Sequence, residues 1–424
     1  MKRLRHLLAA ALLSLPGAAH AQGEVGVGIF TFLSGPPAAY GMPGRNAAEL
    51  MIDTINAGGG VAGIKLRPIF VDEAQGGAAV VSEFRRLAGD NSVLVNVAAL
   101  SSANCLALAP VAEQLKMPML SWNCDTHQLF LKDQYEYVYR TNSSTIPEFL
   151  AYAIYLLEKK PDVRRVAIIN PDYAFGHDAG AIFKAALKAF KPDVEIVAEL
   201  YPKLGTPNFQ TEISRIVAAR PDVVFSNLWG ADLENFVRQA LPRGLFTQSQ
   251  VVLALGETIL QRIELPDGVI VGVLGDGWWN SPTAQANPRT RDFVKAYRER
   301  YGEFPVFPSF KMANSILALE KVLAEAAKAT GGKPTREAFV QAIKGLDIET
   351  YTGNLKLRED NDGLVDQIVG VTRKSADHPF PMIADMARYP AAKVTPPPRT
   401  EPIAWIGGLG KDFLAQMPKP GSYK

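Results

Sequence analysis

A chain of 424 residues with 45 basic and 43 acidic side chains is too evenly charged to suggest a nucleic-acid partner, and too long for one average hydrophobic core. Two cysteines and five histidines, with no close cluster of ligands among them, argue against a metal site. A two-domain globular chain is the starting expectation.

Lys2, Arg3 and Arg5 precede an apolar stretch, Leu7 to Leu15, and Ala19-His20-Ala21 supplies a small-x-small cleavage site. The apolar run is too short to span a bilayer, so residues 1–21 are expected to be a signal peptide, with the mature chain exported to the periplasm. Gln22 follows rather than a cysteine, which predicts a soluble product rather than a lipid-anchored one. Losing three cations takes the formal charge from +2 to −1. Export also bears on the two cysteines: Cys105 and Cys124 are expected to form a disulfide, two buried thiols being the alternative.

Val25 to Phe32 reads as a first strand, followed by a turn-rich Ser34-Gly35-Pro36-Pro37 and then Tyr40-Gly41. Ala47, Leu50, Met51 and Ile55 fall on one face of a helix expected from about Gly44 to Asn56, which the glycine-rich loop 57–63 ends. A strand over Ile64 to Val71 ends in Asp72-Glu73, and a helix follows over Gly77 to Ala88. Val93 to Ala99 is rich in valine and reads as a buried strand. Ser101, Ser102 and Asn104 follow as capping residues for a helix over about Cys105 to Leu115, and Met119 to Ser121 is the next strand, with Trp122, Asn123 and Asp125 beyond it.

The alternation then restarts. Strands are expected over Val166 to Asn170, Glu195 to Glu199, Val223 to Asn227, Val251 to Leu255 and Val269 to Leu274. Helices separate the first four of these, over Gly176 to Ala189, Phe209 to Ala219 and Leu233 to Leu241. Helices over Thr290 to Tyr301, Phe310 to Thr330 and Thr335 to Lys344 come next, then a late strand over Ile368 to Val371. The tail beyond Pro379 is rich in proline and is expected to wrap the surface irregularly. The fold class is therefore α/β, with two doubly wound, Rossmann-like units.

Catalytic and cofactor motifs are missing. Gly58, Gly60 and Gly63 have dinucleotide-loop spacing, but a helix precedes them and a strand follows, the reverse of what that loop needs. Neither a phosphate loop nor a nucleophile elbow occurs. Asp72 and Glu73 are adjacent at a strand end and should point apart, as a solvated end rather than a catalytic pair. No enzyme and no cofactor are expected. The polar and aromatic residues at the strand ends remain: Tyr40, Ser101, Ser102, Asn123, Asp125, Tyr173, Trp229 and Glu257. Ligands bind beyond the carboxyl ends of the strands in open parallel sheets, and a helix N-terminus with hydroxyls suits a carboxylate. Plain capping by Ser102 is the competing reading.

The segments S-G-P-P-A-A-Y-G (34–41), D-T-I-N-A-G-G-G-V-A-G-I-K-L (53–66), V-D-E (71–73), L-S-S-A-N (100–104), N-P-D-Y-A-F-G (170–176) and L-A-L-G-E (253–257) carry a resemblance. Over roughly Val25 to Val371 the chain resembles the periplasmic solute-binding proteins of the leucine/isoleucine/valine type that serve ABC importers. The resemblance implies two lobes joined by a three-crossover hinge: residues 22–141 with 275–353, and residues 142–274 with 354–372, leaving 373–424 as an extension. It implies a ligand carboxylate at Ser102 and the Asn123–Asp125 segment, an α-ammonium at Glu257, and Tyr40, Tyr173 and Trp229 lining the cleft. The implied partners are a small-molecule ligand and an inner-membrane ABC permease, with the protein a monomer. The first expectation for the ligand is an amino acid, branched-chain or related; the second is an aromatic or other small carboxylate. A ligand sensor for a membrane receptor is a further reading. Departures from the family pattern are the shortened Ser101-Ser102-Ala103 run, Trp122-Asn123-Cys124 after the strand, the acidic Asp125, Trp278-Trp279 and the long tail.

Overall fold

The computed structural model describes residues 23–424, so the expected signal peptide lies outside the described residues. The first five strands are β1 (Gly23–Thr31), β2 (Ile64–Asp72), β3 (Val93–Val97), β4 (Met119–Ser121) and β5 (Val138–Arg140). They form one parallel sheet in the order β2-β1-β3-β4-β5. Helices α1 (Ala38–Ala57), α2 (Gly77–Gly89) and α3 (Ser102–Gln114) make the crossovers. β3 is buried at every position, as its valine-rich run requires for a strand covered on both faces.

After β5 the chain passes through 141–144 into α4 (Thr145–Lys159), β6 (Arg165–Ile169), α5 (Ala174–Phe190), β7 (Glu195–Leu200), α6 (Gln210–Ala219), β8 (Val223–Ser226), α7 (Gly230–Ala240), the short α8 (Leu245–Gln248), β9 (Gln250–Leu253) and β10 (Ile270–Gly272). Helices α9 (Pro282–Ala286), α10 (Pro288–Tyr301), α11 (Phe307–Thr330) and α12 (Arg336–Ile343) follow, and α11 packs along α1 of the first lobe. A small antiparallel sheet, β11 (Asp347–Glu349), β12 (Asn354–Leu357) and β13 (Gly363–Leu364), reaches the edge of the first sheet, where the Arg140 N–H donates to the Asn361 carbonyl at 3.0 Å. Strands β14 (Gln367–Arg373) and β15 (Met382–Tyr389) then complete a second sheet in the order β15-β14-β10-β9-β8-β6-β7. In that sheet β14 and β15 run antiparallel to their neighbours and the rest are parallel.

The tail departs from the expectation of an irregular wrap. β15 extends the second sheet, and α13 (Ala391–Val394), α14 (Pro402–Gly407) and α15 (Gly410–Ala415) follow it, with α14 and α15 against α5. Proline clusters at 379–381 and 396–398 bracket the strand and hide its pattern. β5 and α4, absent from the expected elements, also appear. The first is only three residues long, and α4 is buried from Thr145 to Leu157, so it has no polar face to show a helical period. Two doubly wound sheets, the first all parallel and the second parallel except for β14 and β15, nevertheless carry the expected α/β class.

Candidate functional site

The carboxyl ends of both sheets face one another. From the first lobe, the turn after β1 and the start of α1 bring Tyr40, the β3–α3 connection brings Leu100 and Ser102, and the segment after β4 brings Asn123 and Asp125. From the second, the β6–α5 turn contributes Tyr173 and Phe175, the β8–α7 turn Trp229, and the end of β9 Leu255. Together these side chains line a narrow, nearly filled cavity of about 10 Å³, room for about one water between the closed walls. Trp229 reaches across to the first lobe, with ring centroids 5.5 Å from Tyr40 and 6.0 Å from Phe32. The approach beside it is close: Gly230 has φ +58°, and a Cβ there would lie 3.2 Å from the Pro36 carbonyl oxygen. The Ala231 N–H donates to that same carbonyl at 3.4 Å.

The polar wall is fixed by hydrogen bonds. The Tyr40 hydroxyl donates to Asn123 Oδ1 at 3.2 Å, and Asn123 Nδ2 donates to the Leu100 carbonyl at 3.3 Å. Cys105 and Cys124 are joined in a disulfide across this wall, as expected, with Cα atoms 6.0 Å apart.

Ser101 and Ser102 have separate duties. Ser101 is the N-cap of α3, its Oγ accepting from the Asn104 N–H at 3.2 Å, and it does not line the cavity. Ser102 does line it, and its Oγ accepts from the Thr126 N–H at 3.3 Å, leaving its own proton free to donate. Ser102→Ala should therefore weaken ligand binding by about 1–3 kcal/mol. Stability should fall by less than the ~1 kcal/mol of a lost cap, because the cap stays in place. Calorimetry beside urea unfolding reads both, and a stability loss without an affinity loss would restore the capping role to Ser102.

Glu73 corrects the expectation of a solvated strand end. Asp72 and Glu73 do point apart, but the Glu73 side chain turns inward and is buried. Its carboxylate accepts from the N–H of Leu100 at 2.6 Å, from that of Ser101 at 3.4 Å and from Asn104 Nδ2 at 2.8 Å. Burial raises its pKa to about 7 against these donors. The protein's own carboxylate thus takes the N–H groups that lead into α3, and Ser101 Oγ takes that of Asn104.

Asp125 is buried on the cavity wall and does not stand alone. Lys311, from α11, places Nζ 2.7 Å from Asp125 Oδ1 and 3.1 Å from Glu148 Oε1, and Ser143 Oγ donates to the same Glu148 oxygen at 2.9 Å. Burial raises both carboxyls, Glu148 to about 8, where the neighbouring Asp125 adds to the effect. Burial opposes the charge on Lys311, but the two acids outweigh it and the ammonium is held protonated. Neither Lys311 nor Glu148 was expected in the site. One lies inside a long apolar helix and the other in a helix that showed no period, and only the isolated charge in each apolar run marks them.

Glu257 is buried but lies outside the cavity lining. Its Oε2 accepts from the Phe307 N–H at 3.1 Å, at the N-terminus of α11, and burial raises its pKa to about 8. The structure thus brings Tyr40, Ser102, Asn123, Asp125, Tyr173 and Trp229 together, adds Leu100, Phe175 and Leu255, and turns Ser101 and Glu257 to other partners.

Two sheet-based lobes whose strand ends face one another across a narrow polar and aromatic cleft are a frame that can close on a small solute. A family profile described as periplasmic binding protein matches residues 24–377, and the chain belongs to that family. Leu/Ile/Val-binding protein homolog 7 of Brucella abortus (strain 2308) is 27% identical over 359 residues, covering 81% of this chain and 87% of that one. Homolog 3 of Brucella melitensis biotype 1 is 26% identical over 365 residues, covering 85% and 94%. Among solved structures, the solute-binding protein of an ABC transporter from Rhodopseudomonas palustris BisB5, in complex with 3,4-dihydroxybenzoic acid, superposes with a TM-score of 0.74 at 24% identity, covering 88% of this chain and 99% of that one. The branched-chain amino acid transporter substrate-binding protein of Streptococcus pneumoniae, in complex with isoleucine, gives 0.69 at 22% identity, covering 82% and 95%.

Proposed function

We propose that this protein is the periplasmic substrate-binding component of an ABC importer, that it is not an enzyme, and that its ligand is a small aromatic carboxylate. One observation carries the choice of ligand. The cavity is lined by four aromatic side chains, Tyr40, Tyr173, Phe175 and Trp229, and Glu257, the expected partner of an α-ammonium, is turned to the α11 N-terminus. A flat ring stacks well among such side chains, while the Ser102 hydroxyl, at the start of α3, suits its carboxylate. The lobes close over the ligand by a hinge at the crossovers, and the closed pair of lobes presents itself to the permease.

An amino acid is the second reading, favoured by Asp125, whose carboxylate on the wall could face an ammonium. Calorimetry with 4-hydroxybenzoate, 3,4-dihydroxybenzoate, leucine and isoleucine separates the two. Under the aromatic reading, Glu257→Gln leaves the affinity for the benzoates within about threefold, a change below ~1 kcal/mol, because a glutamine oxygen still accepts the Phe307 N–H. If an ammonium sat on Glu257, the same substitution would cost several kcal/mol and isoleucine would outbind the benzoates.

A further inference from the structure

We propose that Lys311 and Glu148 are positioning residues that set the charge Asp125 presents to the ligand, and that they couple binding to a single proton held between the lobes. This rests on the cavity being the binding site. The three groups come from three elements: Asp125 from the segment after β4, Glu148 from α4 just past the first crossover, and Lys311 from α11, which packs on α1. All three side chains are nearly closed to solvent, at 3%, 0% and 4% exposure. Two carboxyls therefore share one ammonium. Glu148 Oε2 finds no partner in the protein, so beyond the shared ammonium only the Ser143 hydroxyl on Oε1 offsets the second acid.

The surroundings supply little of the missing charge: only Arg140 among them favours the Asp125 carboxylate, and it is already paired elsewhere. Arg140, on β5, donates to the backbone carbonyls of Asp125 and Thr126 and pairs with Asp362, 3.3 Å away. Arg358 pairs with Asp360 at 2.5 Å and with Asp362 at 3.6 Å, so the two arginines and two aspartates balance. His127 lies 3.5 Å from Asp178, beyond Arg140. Tyr40 donates to Asn123 and Tyr152 to the Ala254 carbonyl, and burial raises the pKa values of Tyr40, Tyr152 and Tyr173, so they stay neutral. Glu257 also acts on Tyr152 and Glu73 on Tyr173; Glu257 accepts from the Phe307 N–H, and Glu73 from those of Leu100 and Ser101. An unbalanced buried negative charge is costly, so the cluster keeps a proton, and Glu148, fully closed to solvent with Oε2 unpartnered while Arg140 favours the charge on Asp125, is where it resides. With the proton present, the wall behind Asp125 is neutral overall and tolerates a carboxylate ligand. Without it, the wall carries one negative charge, which repels a carboxylate and favours an ammonium.

The test has two arms. First, the ligand-free protein labelled with carboxyl-13C glutamate and aspartate is titrated by NMR. The expected result is a glutamate resonance titrating near pH 8 in the wild type and missing from Glu148→Gln. Glu73 and Glu257, raised to about 7 and about 8, also titrate high, so the difference between the two spectra is the diagnostic. If Glu148→Gln fails to fold, Ser143→Ala replaces it: losing a donor to the charged form should move that titration upward. No glutamate signal lost in Glu148→Gln, or none moved in Ser143→Ala, overturns the proposal whatever the ligand is.

Second, calorimetry follows 4-hydroxybenzoate and isoleucine across pH. Affinity for 4-hydroxybenzoate should fall by about tenfold between pH 7 and pH 9 in the wild type, and by less than about twofold in Glu148→Gln. Isoleucine, if it binds, should show the opposite sign. Equal pH dependence in the two proteins overturns the coupling. No binding of 4-hydroxybenzoate at any pH, with the NMR difference intact and isoleucine tightening as pH rises, refutes the aromatic reading and supports the proton site.

Discussion

Lys311→Met should cost about 3–5 kcal/mol of folding stability at pH 7, because it strips two buried carboxyls of the cation they share. The side chains of Asp125 and Glu148 have almost no solvent to fall back on, and both sit in contact with Nζ, at 2.7 and 3.1 Å. In the variant Glu148 already holds its proton at pH 7, so Asp125 must either stay charged without a partner or take up a second one. An acid whose pKa is raised in the folded state gives its full stabilisation below its unfolded pKa and loses it as pH rises through the folded value. The deficit should therefore shrink as pH is lowered from 7 to about 5. Urea unfolding followed by tryptophan fluorescence at both pH values measures it, and an unchanged midpoint at pH 7 would show that the cluster contributes nothing. Lys321→Met is the control on the same helix. Lys321 is 56% exposed and pairs with Glu325 at 3.1 Å, and its loss should stay within about 1 kcal/mol.

Reducing the Cys105–Cys124 disulfide should lower stability by about 3 kcal/mol, the chain-entropy value for a loop of this size. The bonded residues are 19 apart in sequence, one near the N-terminus of α3 and the other just past β4. Those two segments carry Ser102, Asn123 and Asp125, so the bond fastens together the two pieces of backbone that make the polar wall. Reduction should therefore weaken ligand affinity as well as lower the urea midpoint. Unfolding with and without reductant, with thiols counted by alkylation of the unfolded protein, checks both. Equal midpoints with both thiols alkylated would remove the stabilising role.

Much of the scaffold was legible because its elements are periodic or flanked by turn residues. β1, β2 and β3 are apolar runs ending in polar turns, and α2 and α5 bury one stripe each. Where burial is complete the signal disappears, as α4 shows. Turn chemistry misled at α1, which begins at Ala38 and carries Pro43 inside it, although Gly41-Met42-Pro43-Gly44 reads as a loop. The site was legible to the extent that it depends on position along the chain: residues just beyond strand ends had to gather at one edge. Direction was not legible. Ser101 and Ser102 are neighbours, yet only Ser102 faces the cavity, and Glu73 and Glu257 each turn toward a helix N-terminus that sequence alone does not place beside them. Lys311 is separated from Asp125 by most of the chain, and no local pattern links an ion pair across that distance.

The second sheet draws its strands from β6 at Arg165 through to β15 at Tyr389, and α1 of the first lobe lies against α11, far along the chain. In kinetic terms this is a fold of high contact order, in which the longest loops must close before the pairing they permit can stabilise anything. A chain emerging N-terminus first cannot finish one lobe and then begin the other. α1 keeps an uncovered face until α11 is available, and β14 remains an open sheet edge until β15 arrives, so partly made molecules expose the surfaces that favour aggregation. Ending the chain anywhere before Tyr389 therefore removes a structural strand rather than trimming a tail, and the last residues to be made decide when the protein becomes safe from its own edges.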